Sequence, residues 1–227
     1  INMRKNRGHA RCNAFGIRYV LKEEKFDYLI LMDGDGEDRP VEIQDLISKL
    51  LINTNISVVA KRIKRSEGPI FQMMYQIHKL ITFIFTGKKI NFGNYSCLTK
   101  KDVKILSEKA SLWSSYSGSV KKNLDQLNEI DSTRGIRYFG PSKMSLFNLA
   151  IHSFSIIAVF KYQVFLRSSF LIIILSFLNS LIGIYSTFFQ ILLVVFNLII
   201  FIISLRESKK SLLESNQNVI DTVEITH

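Results

Sequence analysis

The residues in this sequence that are best suited to chemistry are two aspartates one residue apart, Asp33 and Asp35. They follow the apolar run at residues 26–32, which reads as a buried strand of a parallel sheet. In open α/β sheets, ligands bind beyond the carboxyl ends of the strands. Mg²⁺ and Mn²⁺ prefer carboxylate oxygens and commonly share their coordination with phosphates. The pair therefore predicts a divalent-cation site that neutralises charge on a departing diphosphate.

The acidic segment has two other interpretations. One is a solvated acidic turn, because two aspartates at this spacing occur often by chance. The other is a calcium loop of the EF-hand type, which requires Gly at its sixth position and Glu at its twelfth. The sequence has Asp38 and Gln44 there, and Pro40 interrupts the loop, so the calcium loop is excluded.

Helices and strands alternate around this segment, which indicates an α/β domain. Residues 33–40 form a loop punctuated by Gly and Pro. Residues 41–51 predict an amphipathic helix whose buried face includes Ile47 and Leu51. Further helices are predicted at residues 9–22, 69–86, 101–110 and 117–127, and further strands at residues 56–60, within 91–98 and within 129–138.

A long apolar run lies near the carboxyl end, where residues 168–205 contain no charged side chain. A single helix of that length would be about 57 Å long, well beyond the roughly 30 Å hydrocarbon core of a bilayer. Two spans joined by a turn near residues 183–187 fit better, and one buried or tilted helix is the alternative. Arg167 precedes the run and Arg206 and Lys209 follow it, so both ends are expected on the cytoplasmic side.

The segments that flank the run are more polar. Residues 144–166 are apolar but contain His152 and Lys161, which predicts amphipathic helices in the membrane interface. Residues 207–227 predict a polar cytosolic tail, with mobility expected after Lys210. The net charge of +11 suits a domain held near an anionic leaflet. Nucleic-acid binding is not predicted, because the basic residues form no run with interleaved aromatics.

The two cysteines and the first residues bear on the compartment and on completeness. Cys12 and Cys97 form no C-x-x-C pair and are expected to be packing residues of a reduced domain. A secretory signal is not expected, because the first 20 residues carry several Arg and Lys and no apolar stretch. The sequence begins at Ile1 in what reads as the middle of a domain, so an N-terminal part is expected to precede it.

Five segments occur in the order known from one enzyme family. LILMDGDGEDRPVEI keeps Asp33, Asp35, Asp38 and Pro40 of a D-A-D-L-Q-D-P-P-E pattern. The other segments are RKNRGHARCNAFGI, VVAKR, NFGNYSCLTKKDVKIL and RYFGPSKMSLFNLA. Together they resemble family 2 glycosyltransferases, and more narrowly the polyprenyl-phosphate glycosyltransferases and dolichyl-phosphate mannose synthases.

The chain departs from that family at several points. Glu37 replaces Gln, and Asn91 stands where Asp is common, which counts against a general base there because an amide accepts no proton. The strand with a P-x-[YFL]-N-E segment and the strand that binds the nucleotide base are not in this sequence. The Q-x-x-R-W motif of processive polysaccharide synthases is also not in it.

The resemblance implies a GT-A-type, Rossmann-like glycosyltransferase domain at residues 1–143, incomplete at its N-terminus. Juxtamembrane helices at 144–166 and a transmembrane hairpin at 167–206 would follow. The implied reaction is metal-dependent transfer of a hexose from a nucleotide sugar to a polyprenyl phosphate at the cytosolic face of the cell membrane. Asp33 and Asp35 would be the catalytic carboxylates and would hold Mg²⁺ or Mn²⁺. The residues expected to bind substrate or phosphate are Arg62, Asn94, Arg137, Ser142 and Lys143.

Two alternatives stay open beside this function. One is a family 2 transferase with another cell-envelope acceptor, and the other is a non-catalytic, membrane-anchored scaffold. The sugar, the nucleotide, the lipid length, the pathway and a homo-oligomeric state are not specified by the sequence.

Overall fold

The computed structural model describes residues 1–64, 69–140 and 145–223. The strands are β1 (Asn2–Met3), β2 (Tyr28–Leu31), β3 (Val58–Lys64), β4 (Phe92–Thr99), β5 (Asn128–Thr133) and β6 (Val219–Asp221). The helices are α1 (His9–Glu23), α2 (Ile43–Ile52), α3 (Pro69–Thr86), α4 (Lys100–Ser107), α5 (Ala110–Ser114), α6 (Tyr116–Asn123), α7 (Leu146–Ala158), α8 (Lys161–Phe177), α9 (Asn179–Ile182), α10 (Ile184–Ser204) and α11 (Lys209–Leu213). The α/β class is therefore confirmed.

A four-stranded mixed sheet in the order β2-β4-β3-β5 organises the domain. Strand β4 is antiparallel to both β2 and β3, whereas β3 and β5 are parallel. Strands β2, β3 and β5 therefore run in one direction, and their carboxyl ends share one edge of the sheet. Because β4 runs the other way, it begins at that same edge.

The expectation that residues 26–32 have a parallel neighbour is wrong. Among the described residues, β2 is an edge strand that pairs with β4 alone, in antiparallel register from Tyr28↔Thr99 to Leu31↔Ser96. Both faces of β2 are nevertheless covered. Leu29 packs on the core below α1 and α4, and Ile30 packs on the core below α2. This two-sided cover explains the continuous apolar run.

The amphipathic helix predicted at residues 41–51 is α2, although its buried face is narrower than predicted. Leu46 and Leu50 are fully buried against the sheet, whereas Ile47 and Leu51 are exposed. Helical spacing places Leu46 and Leu50 one turn apart on the face that meets the strands. Burying each leucine stabilises the fold by about 1.5–3 kcal/mol.

The other face of the sheet carries the larger core. Helices α1, α4, α5 and α6 contribute fully buried side chains such as Ile17, Leu106, Leu112 and Val120. Cys97 is buried as predicted, but Cys12 is exposed, so its expected packing role is wrong.

Residues 209–221 of the predicted polar tail include α11 and β6 and pack against the domain. Leu212 of α11 is fully buried in the larger core, and β6 pairs with β1. Leu212 and the hydrogen bonds of Asn218 with Arg4 and Lys5 connect this segment to the domain, and the polar composition around them hides that signal.

One helical segment among the described residues, Ile184–Leu213, is long and apolar enough to cross a membrane. The pair Phe147–Ala158 and Lys161–Phe177 passes the same criteria only if taken together, and it is bent by 87°. Helix α8 runs unbroken past the predicted boundary at residue 166 and packs against α10. The helical conformation is interrupted at Gly183, which separates α9 from α10, has φ 57° and lies within the predicted turn.

Candidate functional site

Two loops and the end of a strand meet at the edge of the sheet where β2, β3 and β5 end. The loop after β2 (residues 32–39, the acidic loop) carries Asp33 and Asp35, the end of β3 carries Arg62, and the loop after β5 carries Arg137. The first residues of β4, which include Asn94, begin at the same edge. The sheet topology therefore collects residues from four separate parts of the chain.

Asp33 lies in a polar contact with Asn94 and His9. The Asn94 side-chain amide donates to Asp33 Oδ1 at 3.0 Å and also contacts the His9 ring. His9 Nε2 lies 3.7 Å from the same carboxylate oxygen. Behind His9, the ring of His152 on α7 packs edge-on with its centroid 5.8 Å away. Desolvation, with the nearby charge of His9, lowers the pKa of His152 to about 4, so this imidazole is neutral at neutral pH.

Asp35 belongs to a cluster of opposite charges with Glu37, Arg134 and Arg137. Arg137 Nη2 lies 3.4 Å from Asp35 Oδ2, and Arg137 Nε donates to Glu37 Oε1 at 2.8 Å. Arg134 also pairs with the Glu37 carboxylate. Glu37 and Arg134 are largely buried, and burial lowers the pKa of the Arg134 guanidinium. Two arginines therefore reach the acidic loop from a segment about 100 residues away, as Arg137 and Glu37 are 100 positions apart.

The Asp38 side chain stabilises the acidic loop through a hydrogen bond to its backbone. Its Oδ2 accepts the backbone N–H of Asp33 at 2.9 Å, and Arg62 Nη2 lies 3.8 Å from its Oδ1. Burial, partly offset by that hydrogen bond, raises the pKa of Asp38 to about 6. Gly93 makes room for Arg62, because a Cβ there would lie 2.6 Å from the guanidinium. Asp38 thus fixes the backbone that presents Asp33.

Backbone contacts join the acidic loop to the loop after β5. The N–H of Gly135 donates to Glu37 O at 2.8 Å, and the N–H of Tyr138 donates to Asp35 O at 2.9 Å. Gly36 has φ 90°, and a Cβ there would lie 2.8 Å from the Tyr138 ring. Positive φ and a close ring together require glycine at this position.

A cavity of about 520 Å³ is lined in part by His9, whose Nε2 lies 3.7 Å from Asp33 Oδ1. Its basic side chains are Lys5, Arg7 and Arg11, and its apolar wall includes Phe15 and Trp113. The Arg11 guanidinium lies over the Trp113 ring, 5.6 Å from the centroid. Burial and the neighbouring charges of Arg206 and Arg7 lower the pKa of Arg11. Clustered cations of this kind favour an anionic ligand such as a phosphate.

The structure brings together most of the residues predicted from the sequence. Asp33, Asp35, Asn94, Arg62 and Arg137 all lie at this edge of the sheet. Ser142 and Lys143 lie outside the described residues.

Sequence reasoning missed His9, Glu37 and Arg134 as members of the site. His9 opens α1 directly after Gly8, so its position at a helix start was a usable signal. The pairing of Glu37 with Arg134 depends on contacts between residues 97 positions apart, and no local pattern reveals it.

The carboxylate oxygens fit a cation site that is shared with substrate phosphates better than one that is formed by protein ligands alone. Among residues 1–64, 69–140 and 145–223, no group of three or more His, Cys, Asp or Glu side chains is arranged to hold a metal ion. Asp33 and Asp35 offer two partly exposed carboxylates. Mg²⁺ is usually bound by one or two carboxylates plus waters and substrate phosphates, so two donors fit that ion.

Comparison with known proteins adds no family assignment. No protein-family model matches this chain, and no curated protein matches it.

Proposed function

We propose that this protein is a membrane-anchored glycosyltransferase that moves a hexose from a nucleotide sugar to a polyprenyl phosphate at the cytosolic face of the membrane. One observation carries the proposal: two partly exposed aspartates lie at the carboxyl edge of an α/β sheet, next to arginines and a basic cavity. The order of the five segments that resemble polyprenyl-phosphate glycosyltransferases also supports it.

Asp33 and Asp35 would hold the divalent cation together with the donor diphosphate. When bound, the cation supplies positive charge to the departing diphosphate. Asn94 keeps Asp33 in place through its 3.0 Å hydrogen bond, and the backbone bond to Asp38 fixes the loop. These contacts hold the carboxylates before substrate arrives, which lowers the cost of ordering them.

The basic residues would bind the phosphates. Arg137 has a planar guanidinium beside Asp35 and would contact a diphosphate bound at the two aspartates. Arg7 and Arg11 line the adjoining cavity and suit the rest of the donor's anionic part. Lys143, predicted for the lipid phosphate, follows the same loop in the sequence.

The transfer step needs little proton chemistry. A phosphate oxygen of the lipid attacks the anomeric carbon and forms the new C–O bond. The bond between that carbon and the donor diphosphate breaks, and its electron pair leaves with the nucleoside diphosphate. A lipid phosphate is already ionised at neutral pH, so Asn91 in place of an aspartate does not block the reaction.

Membrane attachment is the other part of the proposal. Helix α10 meets the length and composition criteria for a span, and α8 packs along it as the second arm of the proposed hairpin. Arg167 and Arg206 flank the charge-free run, which supports a cytosolic position for the domain.

The proposal is tested with the full-length protein in nanodiscs, supplied with undecaprenyl phosphate, Mg²⁺ or Mn²⁺ and one radiolabelled nucleotide sugar at a time. The expected result is a labelled lipid in the organic phase that requires the metal and is lost in Asp35→Asn. Asp125→Asn is the matched control, because Asp125 is an exposed aspartate on the loop before β5. No labelled lipid from any common donor would reject the lipid-phosphate acceptor and favour another acceptor or a non-catalytic role.

A further inference from the structure

Helix α3 has an apolar surface that no other part of the described chain covers. Met73, Ile77, Leu80 and Ile84 follow helical spacing along one stripe, and each is between 43% and 58% exposed. Such a stripe on a water-soluble surface would expose several large side chains together, and contiguous patches of this kind mark interaction sites.

Another side of α3 packs mainly on α7 and α8 and also touches the apolar helix α10. The rings of Phe85 and Phe196 lie 4.5 Å apart, and Ile81 joins Phe85 in the core that holds Ile200 and Ile203. Residues 196–206 span about 15 Å of helix at 1.5 Å per residue. If α10 crosses a bilayer up to Arg206, its contact with α3 lies within reach of the hydrocarbon layer.

Helix α8 contacts the carboxyl end of α3 next to the start of the charge-free run. Arg167, the last charge before the apolar run, donates to the Ile84 carbonyl at 2.9 Å. Gly87 has φ 70° and leaves room for this contact, because a Cβ there would lie 2.5 Å from the guanidinium. The carboxyl end of α3 therefore lies beside Arg167, the position in α8 after which the sequence is apolar.

Basic residues border the exposed stripe. Residues 69–91 contain Lys79, Lys88 and Lys89 and no acidic residue. Lys79 and Lys89 lie over the rings of Tyr75 and Phe83, at 5.4 and 5.7 Å from the centroids. The same lysines line a hollow of about 350 Å³ between α3 and the start of β4. Lysines with apolar stems along a helix and charged ends at its rim suit an interface with anionic headgroups.

We propose that α3 lies in the plane of an anionic leaflet, with its exposed stripe in the acyl region and Lys79 and Lys89 among the lipid phosphates. The inference rests on the membrane anchoring that is part of the proposed function. It goes beyond that anchoring, because it assigns lipid contact to a helix inside the α/β domain. The lipid is favoured over a second protein copy because α3 packs against α8, the proposed membrane helix whose Phe170 and Ile173 are also exposed.

The test places a bimane label on single cysteines of the full-length protein in anionic vesicles with brominated acyl chains. Cys12 is first replaced by Ser, whereas Cys97 is buried and stays. The labelled sites are Leu80→Cys on α3, Ile191→Cys on the exposed side of α10, and Ile52→Cys at the exposed end of α2. The expected result is loss of fluorescence at the first two positions and none at the third.

Each other pattern has a distinct meaning. Quenching at position 191 but not at 80, with iodide quenching at 80, would overturn the inference and leave the anchor intact. No lipid quenching at either position would reject the anchor as well. Cross-linking between copies at position 80 without lipid quenching would overturn the inference in favour of a dimer surface.

A second comparison tests the headgroup contact. Lys79→Gln combined with Lys89→Gln should reduce the lipid quenching at position 80 in anionic vesicles. The matched control is Lys101→Gln with Lys104→Gln, two exposed lysines on α4. Equal quenching in both double variants would contradict a role for the α3 lysines at the headgroups.

Discussion

Arg137 holds the carboxylate of Glu37 through two hydrogen bonds, from Nε at 2.8 Å and from Nη2 at 3.1 Å. The same Nη2 lies 3.4 Å from Asp35, so the guanidinium bridges two acidic side chains. Glu37 is little exposed and is also paired with Arg134. This carboxylate therefore balances two arginines that reach the acidic loop from the loop after β5.

Replacing Glu37 by Ala should destabilise the fold strongly. Removing one partner of a buried ion pair costs about 3–5 kcal/mol, because the remaining charges stay desolvated. The measurement is the free energy of unfolding in detergent. The control is Asp131→Ala, which breaks an exposed pair with Lys61 at 3.5 Å. That pair should contribute about 1 kcal/mol or less. Equal losses in both variants would contradict a structural role for the buried pair.

Gly36→Ala should disturb the candidate site more than Gly34→Ala does. At Gly36 the new Cβ would meet the Tyr138 ring at 2.8 Å in a positive-φ conformation, whereas nothing lies within 4 Å of a Cβ at Gly34. The expected result is a lower melting temperature and weaker donor binding for Gly36→Ala only. Similar behaviour of the two variants would show that the loops do not pack together as described.

The two cysteines should differ in reactivity. Cys12 is exposed, whereas burial raises the pKa of Cys97 to about 11, so its thiolate is scarce at neutral pH. Thiol titration with a maleimide should label Cys12 in the folded protein and both cysteines after denaturation. Fast labelling of Cys97 in the folded state would contradict its position in β4, opposite Val58.

Core substitutions distinguish the two faces of α2. Leu46→Ala removes a fully buried side chain and should cost about 2–5 kcal/mol. Leu51→Ala changes an exposed residue of the same helix and should alter the free energy of unfolding by no more than about 0.5 kcal/mol. A comparable loss for Leu51→Ala would mean that the helix buries the wider face predicted from the sequence.

Local patterns were sufficient for most elements of this fold. Apolar spacing located α1, α2 and α3, and the Gly and Pro residues located the loop that carries Asp33 and Asp35. The antiparallel partner of β2 could not be predicted, because an apolar run reports burial and not the direction of a neighbour. The folding of residues 209–221 depends on Leu212 reaching a distant core, which the polar composition conceals.

The candidate site was predictable where one segment carried the signal. Asp33 and Asp35 lie in a segment whose residue types already indicated a ligand site, whereas Asn94 was expected only from the family resemblance. The roles of Glu37 and Arg134 became visible only in the fold, because Arg134 comes from a separate loop and joins the carboxylate through tertiary contact. His9 belongs to the site because its ring contacts the side chain of Asn94, which is 85 positions away in the sequence.

In the proposed function, Asp33 and Asp35 bind a divalent cation together with a diphosphate. The most direct measurement is a titration of the full-length protein with Mn²⁺, followed by electron paramagnetic resonance, with and without a nucleoside diphosphate. We expect Mn²⁺ binding that tightens with the diphosphate and is lost in Asp33→Asn and Asp35→Asn, but not in Asp125→Asn. Binding that is indifferent to the two aspartates, or no binding with the diphosphate present, would contradict the claim.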